Sequence, residues 1–517
     1  MAVTGARLRY REFNGTFAHF SGMNNSDHPA LLPDTVLQDA ENVIMGPYGN
    51  AKKRPAFIPY GLMPSGPANS SWRILGQFTK SDGTNQIIAF SRNLNNLYYS
   101  TDFGVTYTLM GAVTNPVMGV QYLDTYYVVT QTNGIYKWTG SALSAIASSP
   151  SGFYISVFKD RLWVCGIDSQ LFYSSVGPAQ ETWPPANVLK INGGDGDRLV
   201  AALPFADHIV CFKTRSIWNL YLAPDPSAWA VRIFVLGHGC LSPYAIKALN
   251  GVIFFIDYEG VYKTDGASLP VAMSNDIRTI FYRRPLDLPV FYYQDSLSFF
   301  DQYMFCSIQT QASPQVFYYM VYNFTSGGWT TWLWTGPPFG SNGFIPTEIF
   351  EVIPSAASGK AITRLVSMMN GPENNAGAPV LYALSDPNST APRSDGVGGY
   401  PVVSTIQTRR TDFNFPYRTK RNKITFLELA TCDNFSFDKT NPGLVQISYT
   451  TENRQPKLAF WPYLQKMSPT EESYKVHGAG YFRELSVSLL EGTSAFWEVQ
   501  QINCPFTIKS DQADPDQ

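Results

Sequence analysis

Charge is scarce in this 517-residue chain: Asp, Glu, Lys and Arg together make up 15% of it, and the formal net charge is −2. So thin and balanced a charge gives no field for coating a phosphate backbone or an acidic membrane. Cysteine is scarce as well. The six cysteines, Cys165, Cys211, Cys240, Cys306, Cys432 and Cys504, lie far apart without a C-x-x-C pair, so they read as buried reduced thiols and not as a disulfide framework or zinc site. No apolar run approaches the length of a membrane span. Met1 to Phe13 carries charges with no apolar core behind them, so no signal peptide is expected and folding in the cytosol is. The sequence also lacks a Gly-x-Ser-x-Gly elbow, a phosphate-binding Gly-Lys-Ser/Thr loop and a dinucleotide fingerprint. His19, His28, His208, His238 and His477 form no i, i+4 pair, and the carboxylates are too scattered to yield a glycosidase pair. No catalytic, cofactor-binding or metal-ligating residue is therefore assigned, and the chain is not expected to be an enzyme.

What the chain does hold is aromatic residues and turns. It has 34 Phe, 30 Tyr and 11 Trp, which suit β-rich packing, and 40 Gly and 36 Pro to punctuate short strands. From Gly193 to Gly266 two consecutive sets of short apolar runs stand out, the first at Leu199–Leu203, Ile209–Phe212, Ser216–Leu220 and Trp229–Val235, the second opening at Ala245–Leu249 and Val252–Ile256. Sets of about four strands are the unit of a β-propeller. Marking the second run of each set at Ile87, Tyr126, Leu162, Ile209, Ile253 and Met304 gives separations of 39, 36, 47, 44 and 51 residues. A propeller blade takes roughly 40 to 50. Local likeness supports the register: Gly134–Gly140 (GIYKWTG) returns as Gly260–Gly266 (GVYKTDG), and Leu97–Thr101 (LYYST) as Leu171–Ser175 (LFYSS).

A seventh set is expected from Arg364–Met369 and Val380–Leu384, with an outer strand near Thr405, and ring closure can borrow a strand from the N-terminal arm because a propeller must cover its first and last edges. After Pro416 the pattern shifts to longer alternating segments at Lys423–Ala430, Gly443–Tyr449, Tyr481–Leu490 and Ala495–Ile508, with a loop-like region from Glu452 to Gly480 carrying Pro456, Pro462 and Pro469. The expected architecture is all-β: a propeller of six to seven blades over 72–412, preceded by an extended arm and lead-in strand (1–71), followed by a C-terminal β-sandwich (413–510) and a disordered tail (511–517).

Several motifs invite a chemical reading. Ser100–Tyr107 (STDFGVTY) fits the Asp-box pattern of sialidase propellers, in which the Asp ties a hairpin turn and marks the fold. Gly194-Asp195-Gly196-Asp197 is short of a calcium loop, lacking the twelve-residue spacing and the closing Glu, and reads as a turn. Gly237-His238-Gly239-Cys240 looks reactive, but adjacency does not give a nucleophile its base. Arg409-Arg410 and Arg418–Lys423 form the densest basic patch, with Asp412 and Glu428 beside it, and read as a solvated or interface face.

Asp39-Ala40-Glu41-Asn42-Val43 followed by Lys52-Lys53-Arg54-Pro55 resembles the Asp-Ala-x-Asn then Arg-Pro-Gly opening of bacteriophage tail proteins, with Ala56 in place of the glycine. Gly194–Leu203 with Phe212–Trp218, and Gly239–Pro243 leading to Asp257–Tyr262, are similar to that family's central blades, and the resemblance spans roughly residues 20 to 510. It implies a virion structural protein: the β-propeller nozzle or tail hub component of short-tailed phages. Six copies commonly ring the tail axis there, contacting a tail adaptor and tail fibre or other tail proteins. Genomic DNA leaves through the lumen without sequence-specific contact. The expected location is then the virion tail, after synthesis in the host bacterial cytoplasm, with no cofactor and no membrane-spanning segment. The alternative from another class is a glycan-binding or glycan-hydrolysing propeller, sialidase-like or depolymerase, acting on the host surface.

Overall fold

The computed structural model of the protein describes residues 12–62, 72–91, 94–282, 295–312, 315–333, 345–352, 363–369, 380–385, 394–395, 400–414, 420–431, 445–451, 457–459, 465–468, 471–491 and 497–508. Within them strands dominate, and the one α-helix, Arg278–Phe281, is a single turn. Four-stranded antiparallel sheets made of consecutive strands follow one another at 116–145, 154–190, 199–236 and 246–272; these are blades two to five. The first blade (72–112) and the sixth (296–332) have the same four-strand order but are extended by further strands. Ile87, Tyr126, Leu162, Ile209, Ile253 and Met304 all fall on the second strand of their blades, as the spacing predicts.

The reason those second strands are legible is burial on both faces. Thr125–Thr130 and His208–Lys213 are buried almost without a break, so they read as continuous apolar runs and lose the alternation of a half-solvated strand. Tight turns hand each first strand to the second. Leu123, Lys159, Asp160, Ala206, Asn250 and Asp301 sit at φ between 47° and 57°, the left-handed geometry that short hairpin turns require. Asn250 is followed by Gly251 at φ 76°, the sequence that such a turn favours; Leu123 and Ala206 adopt it against their side-chain preference.

The seventh blade is completed from far away in sequence. Ile345–Val352, Thr363–Met369 and Val380–Leu384 supply three strands, and the outer one is Phe57–Leu62 of the arm, running from Phe57 opposite Leu384 to Leu62 opposite Val380. Borrowing from the arm is therefore how the ring closes. The strand near Thr405, expected in that outer place, is instead Ser404–Thr408, paired with Val36–Glu41 and Leu485–Glu491. That outer place is already taken, because Phe57–Leu62 pairs along the whole of Val380–Leu384. First strands of neighbouring blades pack on one another from blade one to blade four and from blade five to blade seven, and Ile345–Val352 of the last blade lies on Trp72–Thr79 of the first.

The rest of the arm builds the sandwich together with the C-terminal strands. Glu12–Ala18 pairs along Trp497–Ile508, from Glu12 opposite Thr507 to Ala18 opposite Gln501, in a sheet that also holds Lys420–Thr431. The facing sheet is a continuation of the sixth blade: beyond Gly328–Trp332 come Gly22–Met23, Val36–Glu41, Ser404–Thr408, Leu485–Glu491 and Val445–Thr451. Phe17, Val43, Ile502 and Phe506 of one sheet and Leu37, Ile406, Val487 and Leu489 of the other share one core. Where the arm meets the sixth blade the backbones nearly touch, since a Cβ on Gly328 would collide with the Ser21 carbonyl. Glu471–Phe482, inside the stretch expected to be loop-like, is a long strand on Lys420–Glu428. Its alternating polar residues Glu471, Ser473, Lys475 and His477 hide it, and it begins only after Pro469. The tail at 511–517 lies outside the described residues.

Candidate functional site

The first strands of a propeller surround its axis, so a side chain that reaches across that axis meets other blades. Four do so here. Arg73 is on the first strand of blade one, Lys247 on that of blade five, Glu348 on that of blade seven, and Tyr244 just precedes blade five. The Arg73 guanidinium carbon lies 3.3 Å from the Tyr244 ring centroid. The Glu348 carboxylate sits 3.7 Å from Arg73 Nε and 3.2 Å from Lys247 Nζ. The Tyr244 hydroxyl donates to the Val117 carbonyl of blade two at 3.2 Å, and its own carbonyl accepts from the Leu297 amide of blade six at 3.0 Å. These side chains thus join blades one, two, five and seven, with blade six added through the Tyr244 backbone, so protein crosses the axis at this level.

A second node sits where the arm leaves the sandwich for the seventh blade. Arg54 is fully buried and donates to Asn42 Oδ1 at 2.8 Å, to the Pro55 carbonyl at 2.8 Å and to the Leu333 carbonyl at 2.7 Å. Its guanidinium also lies 4.9 Å from the Phe57 ring and 5.8 Å from that of Trp332. Asn42 takes a left-handed φ of 55° and donates to the Val403 carbonyl at 2.6 Å, while its oxygen accepts from the Leu333 amide at 2.7 Å. The two segments singled out in the arm, around Asn42 and Arg54, are therefore halves of one buried clasp. Beside it, burial raises the pKa of Asp39, and burial together with Asp39 raises that of Glu41 against the pull of Arg54.

The other motifs are brought into structural roles. In the Asp-box, Asp102 accepts from Ser100 Oγ at 2.7 Å, from the Val105 and Thr106 amides at 3.1 and 2.9 Å, and from Thr106 Oγ1 at 2.6 Å. Burial would raise its pKa, but these bonds outweigh it and hold the carboxyl below its usual range. The Gly/Asp turn is likewise occupied by the protein's own donors. Buried Lys213 donates to both Asp195 oxygens at 2.7 and 2.6 Å, and Asp197 accepts from Thr214 Oγ1, from the Arg215 amide at 3.0 Å and from Ser216 Oγ at 2.6 Å. His238 and Cys240 do not form a nucleophile and base: His238 Nδ1 is 2.9 Å from Asp257 Oδ2, whereas Cys240 donates to the Ser242 carbonyl at 3.2 Å. Cys165, Cys211, Cys240, Cys306 and Cys504 are buried and unbridged, and burial pushes the Cys211 and Cys504 thiols up to about 12. In the basic patch Arg409 bonds Asp34 and Lys420 donates to the Arg483 carbonyl at 2.8 Å; Arg418 and Cys432 lie outside the described residues.

Sequence reasoning missed Arg73, Tyr244, Lys247 and Glu348. The available signal was a lone charge in an otherwise apolar first strand, as in Trp72-Arg73-Ile74 and Ile246-Lys247-Ala248. Nothing in the sequence says that such charges from three blades converge.

The sequence matches no known protein family and no curated protein. Solved structures similar to the chain include a computationally designed protein, Ika8 (10% identity over 63% of this chain and 99% of that one, TM-score 0.36). Two others are YCF48 from Cyanidioschyzon merolae (10% identity, 64% and 100%, TM-score 0.39) and Chaetomium thermophilum Raptor (10% identity, 64% and 30%, TM-score 0.41). The propeller assignment rests on the strand order of the chain itself. Among the described residues no helix is long and apolar enough to cross a membrane.

Proposed function

We propose that the chain is a structural component of a bacteriophage tail, a nozzle or hub subunit that forms a ring around the tail axis and so contributes to the DNA ejection channel. The observation that carries this reading is the contact of Arg73 and Tyr244 across the propeller axis. With Tyr244 and Arg73 packed across it, a polymer cannot thread a single subunit at that level, and any conduit has to lie between copies. The continuous sheet from blade six into the sandwich and the buried Asn42–Arg54 clasp support the same reading, because they join the two parts into a stiff unit suited to bearing load. The clasp also falls on the residues that resemble the phage tail family. No substrate is turned over in this reading; the work is done by shape and association.

A ring needs heterologous contacts that close. The outer strand of blade four offers one surface: Ala230–Leu236 runs for seven residues, against three, three and two for the outer strands of blades two, three and five. Ile233 and Leu236 on it are 47% and 69% exposed, the profile of an edge kept for a second copy. Electron microscopy of the chain mixed with its neighbouring tail proteins tests the reading. It expects rings on the tail axis, lost in the double variant Ile233→Lys, Leu236→Lys. A peripheral spike, or a monomer that binds or hydrolyses host polysaccharide, contradicts it and favours the glycan alternative.

A further inference from the structure

The axial cluster is short of negative charge. Arg73 and Lys247 share Glu348 as their one ionic partner among the described residues. The Arg73 and Glu348 side chains are only 14% and 10% exposed, whereas that of Lys247 is 40% exposed and opens toward solvent. Two cations on one carboxylate leave one positive charge unmatched, and the guanidinium of the pair is mostly withdrawn from water, so an anion that joins them is favoured.

The donors are arranged to receive one. Arg73 is held by the Tyr244 ring, which fixes the plane of its guanidinium, and Tyr244 is itself anchored through its hydroxyl on Val117. Among the described residues neither the Arg73 fork nor the Lys247 ammonium makes a hydrogen bond; the contacts to Glu348, at 3.7 and 3.2 Å, are ionic only. A stacked fork beside a solvent-reaching ammonium is the donor set that takes a carboxylate or phosphate group at two points.

We propose that the axial mouth of this propeller binds an oxyanion, a carboxylate or phosphate group held between the Arg73 fork and the Lys247 ammonium. The site is independent of the tail reading, since its donors come from the propeller alone. A free small anion and an acidic side chain of another polypeptide use the same donors.

Isothermal titration of the full chain with inorganic phosphate, with acetate and with a short oligoglutamate peptide, at constant ionic strength in chloride, tests the site. Saturable one-site binding of at least one probe is expected. Arg73→Gln and Lys247→Gln each weaken it about tenfold or more, the loss of a charge-assisted hydrogen bond. Glu348→Gln tightens it, because the competing carboxylate is gone while the shape is kept; this variant keeps the test open if Arg73→Gln fails to fold. Tighter binding of the peptide than of acetate assigns the natural anion to a polypeptide, and equal or weaker binding assigns it to a free ion. No saturable binding by the wild-type chain and by Glu348→Gln overturns the proposal. So does binding that Arg73→Gln and Lys247→Gln leave unchanged, which means an adventitious ion only.

Discussion

Blades two to five and blades six to seven are built from four strands each but are held in different ways. Each of the former is closed by consecutive residues, with its outer strand bare or short. Blade six passes its outer edge to the arm at Gly22–Met23 and Val36–Glu41, and blade seven has no outer strand until Phe57–Leu62 arrives. The first group is stabilised by local contacts, the second by pairing across more than three hundred residues. One arm therefore serves two edges and one sandwich, so damage to it spreads, whereas damage to a local blade stays near its site.

The largest effect should come from the clasp. Arg54→Ala leaves Asn42 Oδ1 and the Leu333 carbonyl with a lost donor in a buried place, and a loss of about 3–5 kcal/mol is expected from breaking such a buried charged network. In denaturant titration followed by hydrogen exchange, blade seven and the sandwich should loosen together. Loosening confined to residues beside position 54 would remove the distinction between the two groups of blades. Next comes a core deletion in a local blade. Ile209→Ala, at a fully buried position of blade four, should cost about 2–4 kcal/mol, with extra exchange restricted to blades three to five.

A smaller change of opposite sign sharpens the role of the local turns. Leu123 is 65% exposed and sits at φ 52°. Leu123→Asn should raise stability by about 1 kcal/mol by removing the left-handed penalty. A melting temperature that does not rise would show that the turn has relaxed geometry in solution.

The smallest effects are in pH. Burial raises the folded-state pKa of Asp39 and Glu41 in the arm, so the folded state holds their protons more tightly, and their contribution to stability falls as pH rises from the ordinary carboxylate range through the raised values. Between blades four and five, the hydrogen bond to the Asp257 carboxylate raises His238 against a smaller burial effect. The stability from that pair is fully present below pH about 6.5 and is lost as pH rises through the folded value. Asp39→Asn with Glu41→Gln should flatten the lower limb of the stability profile alone, and His238→Gln the upper limb alone. Overlapping changes would mean that arm and blade are coupled more tightly than their contacts suggest.

The same contrast explains what the sequence could and could not reveal. The six second strands were readable because burial on both faces turns them into apolar runs such as Ile209–Phe212, and tight turns such as Asn250-Gly251 keep their spacing regular. The outer strand of blade seven was not readable as such, because Phe57–Leu62 carries Pro59 and its partner Val380–Leu384 is remote. Thr405 was misplaced for the same reason: a short alternating strand fits any open edge. Glu471–Phe482 was missed because every second residue at its start is polar and three prolines precede it. At the site, the Asn42 and Arg54 segments could be singled out but their contact could not. The axial charges gave only the weak signal of a single Arg and a single Lys in apolar strands, and Glu348 shares its strand with Glu351.

Native-state hydrogen exchange tests most directly the claim that the arm closes the ring. The backbone amides of Phe57–Leu62, Pro59 aside, and of Val380–Leu384 are expected to be protected together and to exchange only in the opening that also releases Glu12–Ala18 from Trp497–Ile508. Rapid exchange of Phe57–Leu62 while Val380–Leu384 and the sandwich stay protected would contradict it.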